Sequence, residues 1–592
     1  MIKPYLDLVK TVWKNGKTWH KTIVAYYIAY IVAQGCLSLS PYAFGRTIDV
    51  LQNFTADKLP DVFFWLAFGV VVLVIFWVFH GPARVQERYV ALRIQQAFKI
   101  KFYDQLTHMP LKWHQDHHSG NIITRLNRAA LALNRFAGDQ FIYIETIVKL
   151  LVSLGFLLWI SPPVGFLNLL TCFLAAMTVH LYDRKLIPLY NSENEVDNHV
   201  GSVVYDYISN MTTILTLRLG ELTRSNLFQR MLSVWPYYRR EVLINEFKWF
   251  SVGVVLSVMQ SLILITYIIY TLHTSGTIMI GLVVMMFRYQ TDLNEVFYMI
   301  SSFYSELVRM DADVKGLDPI LLEMQQLAHS PRGEQEARHW HEIKIANLDF
   351  HHIVKHTDKN QKVEYQHKQV FQDLNLEFKR GEKIALIGAS GGGKSTLLNL
   401  LAGSYSPDKA NLIIDGMSFD TLEPLQAITT LIPQDPELFE NTIEFNITLD
   451  LQVEREEIDR AIKLARFDEV LENLPLGLQT DIREKGLNIS GGQKQRLALA
   501  RGLFAARYSS LILMDEPTSS IDLQTEQQIL QAIITSFPDT TMLVSLHRLH
   551  LLPKFDKIIM LKDGKVLAAG AAKELLSAPG PVFDLWQSYT SQ

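Results

Sequence analysis

Six mostly apolar stretches dominate the first half of the chain: Ile23–Phe44, Val62–Phe79, Phe141–Ile160, Val164–Leu181, Phe247–Leu272 and Thr277–Phe297. About 20 such residues are what a helix needs to cross the hydrocarbon core of a bilayer. Inside that core a helix is the only open-ended structure that satisfies all its own backbone polar groups. The pattern predicts six spanning helices. Ser161, Pro162 and Pro163 part the third from the fourth and read as a tight turn at the membrane face. The sixth is the least apolar, because Arg288, Gln290, Thr291, Asp292 and Glu295 fall in its second half.

Hydrophobic residues make up 49% of the 592, but they are concentrated before Asp311, and the chain beyond Gly333 has the mixed composition of a globular domain. The expected organisation is a membrane domain over residues 1–315, a linker over 316–342 and a soluble domain over 343–592. A net charge of -4 and a pI near 6.5 give no reason to expect nucleic acid as a partner. The two cysteines, Cys36 and Cys172, sit inside apolar runs and read as small buried hydrophobes, not as a disulfide framework.

Charge sets the expected orientation. Nine basic residues from Arg84 to Arg135 lie between the second and third spans, and seven from Arg184 to Arg240 between the fourth and fifth; the alternate loops hold only Arg46 and Lys58, or none. Basic loops stay on the cytoplasmic side, which places both termini and the soluble domain in the cytoplasm. Asn53-Phe54-Thr55 is then an outer glycosylation triplet, but similar triplets at Asn210 and Asn446 fall in cytoplasmic stretches, so the pattern decides nothing. Glu87–Met109 and Asn191–Met231 carry apolar residues at helical spacing and are expected to continue the spanning helices well beyond the bilayer. The N-terminal stretch, with Lys3, Lys10, Lys14, Lys17 and Lys21 among apolar residues, suits a short amphipathic helix on the cytoplasmic membrane surface better than a cleaved leader.

In the soluble part, Ile384–Gly388 is a short strand pattern and Lys394–Ala402 a helix start, with GASGGGKST joining them. A glycine loop in that context cradles phosphate: backbone N–H groups close on the oxygens, Lys394 reaches the β and γ phosphates, and Ser395 suits Mg²⁺. Further on, the apolar strand Leu511–Met514 ends in Asp515 and Glu516. The first of these acids suits a Mg²⁺ contact, and the second can polarise a water aimed at the γ-phosphate.

Between these elements, Ile489-Ser490-Gly491-Gly492-Gln493 closely resembles the signature motif of ATP-binding cassette proteins, with isoleucine in place of the usual leucine. LIPQDPELFENTIEFNI resembles that family's Q-loop, with Gln434; TDIREKG resembles the segment before the signature, with Glu484; Ser519–Asp522 resembles the D-loop; and LVSLHRL resembles the switch, with His547. The six spans with long cytoplasmic loops resemble the exporter branch. The resemblance implies a multi-domain membrane protein: a six-helix all-α transmembrane domain with cytoplasmic extensions, then an α/β P-loop ATPase cassette. It implies an ATP-driven exporter, or flippase, working as a dimer of half-transporters. Gly388, Ser390, Gly391, Gly392, Gly393, Lys394, Ser395, Thr396 and Gln434 would bind ATP, and Ser490, Gly491, Gly492 and Gln493 would contact it from the second subunit. Ser395, Gln434 and Asp515 would attend Mg²⁺, Glu516 would be the general base, and His547 would contact the γ-phosphate. Short turns near Trp113–Gly120 and Gly201–Met211 resemble coupling helices.

Where the family has an aromatic residue for adenine, this chain has His352; Tyr365, inside a polar insertion at Ile353–His367, is its rival. The histidine groups His114, His117, His118 and His351, His352, His356, His367 are expected to be solvated surface, because ligands need convergent geometry. Glu145 and Lys149, four residues apart in the third span, are expected to pair on one helix face, and Arg288 and Asp292 repeat the spacing in the sixth. Charges in a span tend to face a polar interior, so all four are candidate substrate-pathway residues. Short outer loops favour an amphipathic drug- or lipid-like substrate in a cytoplasmic membrane of bacterial type. A homodimer is the expected assembly, with a heterodimer and an ATP-gated channel or regulator as alternatives.

Overall fold

The computed structural model describes residues 2–117, 119–327, 340–357, 363–435, 437–482 and 489–590. It divides into two units, residues 1–106 with 120–323, and residues 107–119 with 324–592. The short stretch 107–119 therefore groups with the second unit, and the helix Asp318–Leu327 falls in the first part of what the sequence suggests is linker.

The first unit is all-helical: α1 (Ile2–Asn15), α2 (His20–Leu37), α3 (Ser40–Gln52), α4 (Leu59–Thr107), then, after α5 (Leu111–Asp116) of the second unit, α6 (Ser119–Gly138), α7 (Gln140–Ile160), α8 (Pro162–Ser209), α9 (Met211–Thr216), α10 (Gly220–Leu232), α11 (Trp235–Ser275) and α12 (Ile280–Lys315). The first apolar stretch is broken at Ser38–Leu39, with Pro41 in the opening turn of α3, where its missing N–H costs nothing. Tyr289 of α12 donates its hydroxyl to the Ser38 carbonyl at 3.0 Å and so satisfies a backbone acceptor at the break. At 49 residues α4 is about 74 Å long, more than twice the ~30 Å hydrocarbon core. Its apolar half exposes Phe63, Val70, Trp77 and Val78 by about 60% each, a surface suited to lipid.

By length and apolar content five of the described helical stretches could cross a membrane. The helix α12 falls short on that measure, its charges at Arg288, Asp292 and Glu295 lying mid-helix, although it packs on α3 and α7 through buried Met285, Met286, Tyr289 and Leu293. Phe156 of α7 stacks on Tyr289 with centroids 4.9 Å apart. Helix α1 is amphipathic, but protein covers its apolar face: Leu8 and Val12 are buried, and Tyr5 meets Phe136 and Tyr143 edge-on. Both cysteines are free thiols and only half-buried.

Among the described residues the second unit holds ten strands: β1 (Glu342–Thr357), β2 (Val363–Lys379), β3 (Lys383–Gly388), β4 (Lys409–Ile414), β5 (Met417–Phe419), β6 (Thr429–Ile432), β7 (Leu511–Asp515), β8 (Thr541–Ser545), β9 (Lys557–Lys562) and β10 (Lys565–Ala571). One sheet is antiparallel in the order β2-β1-β4-β5; the other runs β10-β9-β3-β8-β7-β6 and is parallel from β9 to β6. Strand periodicity splits the core in two. Ile384, Leu386, Leu511, Leu513 and Leu543 face the buried helix Lys394–Leu401 and the antiparallel sheet, whereas Ala385, Ile387, Ile512, Met514 and Val544 face the helix Gly491–Ala505.

The described parts of the polar insertion, residues 353–357 and 363–367, continue the strands: β1 and β2 run on as an antiparallel ribbon, in register from His352↔Lys368 to Thr357↔Val363. Alternate residues of a ribbon need no core on both faces, so polar composition does not prevent it. The second short helix lies at Met211–Thr216, because Gly201–Ser209 completes α8. Glu145 and Lys149 do not pair with each other: each reaches across to a neighbouring helix.

Candidate functional site

In a parallel sheet all the strand C-termini share one edge, where α/β proteins bind ligands. Here that edge collects the loops after β3, β6, β7 and β8, which carry the residues from Gly388 to Lys394, Gln434, Glu516 and His547.

Backbone demands explain two glycines of the first loop. Gly388 has φ +149°, and a Cβ there would lie 2.2 Å from the Leu561 carbonyl oxygen; Gly393 has φ +101°, and a Cβ would meet the Phe371 ring at 2.8 Å. Ser390, Gly391 and Gly392 complete the turn, and Ser395 and Thr396 open the helix Lys394–Leu401. Lys394 folds back into its own loop, donating to the carbonyls of Gly388 (2.8 Å) and Ala389 (3.2 Å).

The Glu516 carboxylate is held from both sides. Gln434 donates to one oxygen at 2.9 Å, and His547 Nε2 lies 3.0 Å from the other. Glu516 takes φ +46°, a left-handed conformation uncommon outside glycine. Its neighbour Asp515 is buried, with Oδ1 lacking a hydrogen-bond partner.

The signature residues stand on a different element. Ser490 caps the helix Gly491–Ala505 in a reciprocal box: its hydroxyl accepts from the Gln493 N–H at 3.3 Å, and its own N–H donates to Gln493 Oε1 at 2.9 Å. Gln495, which the motifs do not single out, ties this helix to the next loop by donating to Ser519 Oγ (3.0 Å) and accepting from the Ser520 N–H (2.7 Å). Its signal in the sequence is only its place two residues after Gln493.

His352 lies on β1 with Nε2 3.4 Å from Thr396 Oγ1, edge-on to Phe350 and Tyr405. Burial, and then the charges of Lys112, Lys368 and His351, hold its imidazole below the usual range. The side chain of Tyr365, and residues His118 and Glu484, lie outside the described residues. His351 Nδ1 is 2.6 Å from Asp408, and His117 Nδ1 is 2.8 Å from the Trp113 carbonyl, so these two are engaged rather than simply solvated. Among the described residues no group of three His, Cys, Asp or Glu side chains is arranged to hold a metal ion.

In the membrane unit, Lys149 of α7 lies 3.2 Å from Asp292 and 2.5 Å from Glu295, both on α12. Glu145, one turn earlier, is 2.7 Å from His80 of α4. Arg288 stands one turn before Asp292 on the same helix. The sequence reading missed His80 as a partner; its only trace is a polar residue closing the second apolar run.

Comparison with known proteins decides the family. Residues 371–519 match the ABC transporter family model, and residues 23–294 match that of the ABC transporter transmembrane region. The chain belongs to the ABC transporter family. This ABC transporter is 25% identical to the mitochondrial iron-sulfur clusters transporter ATM1 of Kluyveromyces lactis, over 98% of this chain and 80% of that protein. It is 24% identical to a Staphylococcus aureus protein provisionally named a multidrug export ATP-binding/permease protein, over 98% of both. Its fold matches the structure of a bacterial Atm1-family ABC exporter with ATP bound, at a TM-score of 0.79 and 20% identity, over 97% of this chain and 99% of that one. The protein is a multi-pass membrane exporter that binds ATP, an ATPase coupled to transport.

Proposed function

We propose that two copies of this chain form an exporter in which ATP, enclosed between them, drives a drug- or lipid-like amphipathic molecule out of the cytoplasm. The observation that carries the chemistry is Glu516 set between Gln434 and His547 on the sheet edge that bears the phosphate loop. Backbone N–H groups from Gly388 through Gly393 would close around the phosphates, with Ser395 and Thr396 behind them. Lys394 would exchange its two loop carbonyls for β and γ oxygens, and His352, kept neutral, would lie against the adenine.

The unpartnered, buried Oδ1 of Asp515 suits a divalent cation, and Ser395, in the first turn of the helix Lys394–Leu401, and Gln434 stand at the same edge; these three would hold Mg²⁺, which neutralises charge on the phosphates. Glu516 would take a proton from the attacking water as its oxygen bonds to γ-phosphorus and the bond to the bridging oxygen breaks. His547 would hydrogen-bond the γ-phosphate, and Ser490–Gln493 of the second copy would close the site. The basic loops favour a cytoplasmic cassette, and the membrane would be a bacterial inner membrane. Glu145, Lys149, Arg288 and Asp292 would line the polar pathway, and the S. aureus relative's name is in keeping with an amphipathic cargo.

Purified protein in proteoliposomes with outward-facing cassettes should accumulate lipophilic dyes or labelled lipids in an ATP-dependent manner, with ATPase stimulation by the same compounds. An ATP-dependent leak without accumulation would instead indicate a channel. Chemical cross-linking should give a dimer from this chain alone. Lys394→Ala should weaken ATP binding by about tenfold or more, since hydrogen bonds to charged groups contribute roughly 1.5–3 kcal/mol. Titration with a fluorescent ATP analogue measures this directly, and unchanged affinity would remove Lys394 from the binding set.

A further inference from the structure

The loop carrying Glu516 is fastened to the strand end carrying His547 by a second set of charges. Glu526, on the helix Leu523–Ser536, is 4% exposed. Its carboxylate accepts from Thr518 Oγ1 at 2.6 Å and from Arg548 Nη1 at 2.8 Å; the same guanidinium nitrogen donates to the Ile521 carbonyl at 2.8 Å. Thr518 and Ile521 follow Glu516 by two and five residues, and Arg548 immediately follows His547. A buried carboxylate persists only when it is paired and hydrogen-bonded, and this one is satisfied from both loops at once. Glu516 itself has a backbone conformation that persists only when its surroundings over-determine it.

We infer that Glu526 and Arg548 are positioning residues for hydrolysis. They lock the Glu516 loop against the His547 strand end, and so fix the 3.0 Å contact between the carboxylate and the imidazole. Neither is among the residues proposed to bind ATP; they act through Glu516 and His547, and the inference rests on the roles proposed for those two. Arginine is required because one rigid guanidinium serves a carboxylate and a carbonyl together, whereas a lysine ammonium is a mobile point charge.

The test compares Arg548→Lys and Glu526→Gln with wild type and Glu516→Gln, all as full-length protein reconstituted in lipid. Misplacing a catalytic group by an ångström can cost about 10²-fold. Each positioning variant should therefore lower kcat by roughly fivefold or more, while KM for ATP and affinity for a non-hydrolysable ATP analogue stay within about twofold. Glu526→Gln is nearly isosteric and guards against loss of the fold. Wild-type kcat in both variants, with Glu516→Gln inactive, would overturn the positioning role alone. A fall in kcat and in analogue affinity together would also overturn it, as the mark of general loosening. Wild-type turnover by Glu516→Gln would instead remove the proposed base.

Discussion

Replacing Glu516 with glutamine is expected to leave ATP bound while slowing its hydrolysis by about 10²–10⁴-fold, the usual contribution of a positioned general base. The amide has the shape of the carboxylate and can keep a hydrogen bond to Gln434 or His547, which lie 2.9 and 3.0 Å away. It cannot accept a proton from water. The neighbours proposed to bind phosphate, Lys394 and the glycines from Gly388 to Gly393, are untouched, so ATP should remain on the protein and accumulate in the proposed dimer. The measurement pairs steady-state phosphate release with nucleotide retained after gel filtration. Retained ATP with phosphate release near the wild-type rate would remove Glu516 from the mechanism. Loss of both would mean that the residue holds the loop together instead of acting on water.

The cassette was legible because its chemistry requires particular residues at particular spacings. A phosphate loop needs glycine where φ is positive, as at Gly388 and Gly393, and an apolar β7 must end in acids if they are to meet a nucleotide. The parallel order that gathers these loops on one edge follows from burying each strand on both faces. Side chains satisfied by tertiary partners were not legible. Glu87 is wholly buried, accepting from the Tyr30 hydroxyl at 2.8 Å and the Phe141 N–H at 2.9 Å. Asp183 and Lys248 form a buried pair at 3.4 Å between α8 and α11. Nothing local announces these partners, which are 54 to 65 positions apart along the chain. The i,i+4 rule that joined Glu145 to Lys149 describes an isolated helix. In a packed bundle a neighbouring helix offers closer oxygens, and α12 supplies two of them to Lys149.

Removing the Lys149 side chain as alanine should therefore act on α12, not on Glu145. Asp292 and Glu295 would be left facing each other with no ammonium between them. An uncompensated charge at the centre of a membrane helix costs about 2.5–3.5 kcal/mol on insertion scales, and the half-exposed Glu295 should cost less than Asp292. Lys149→Ala should lower the thermal-inactivation midpoint by several degrees and weaken substrate-stimulated ATPase. Adding Asp292→Asn and Glu295→Gln should recover most of the stability, because the two carboxylates that faced Lys149 are then uncharged. Exchanging Glu145 with Lys149 should not recover it: the exchange puts a third carboxylate opposite α12 and a cation opposite His80. Exchange across the helices, Lys149→Asp with Asp292→Lys, should recover it by restoring opposite charges at that contact. If Lys149→Ala keeps wild-type stability and substrate stimulation, the cluster belongs at the lipid headgroups, and the polar pathway must be sought elsewhere in the bundle.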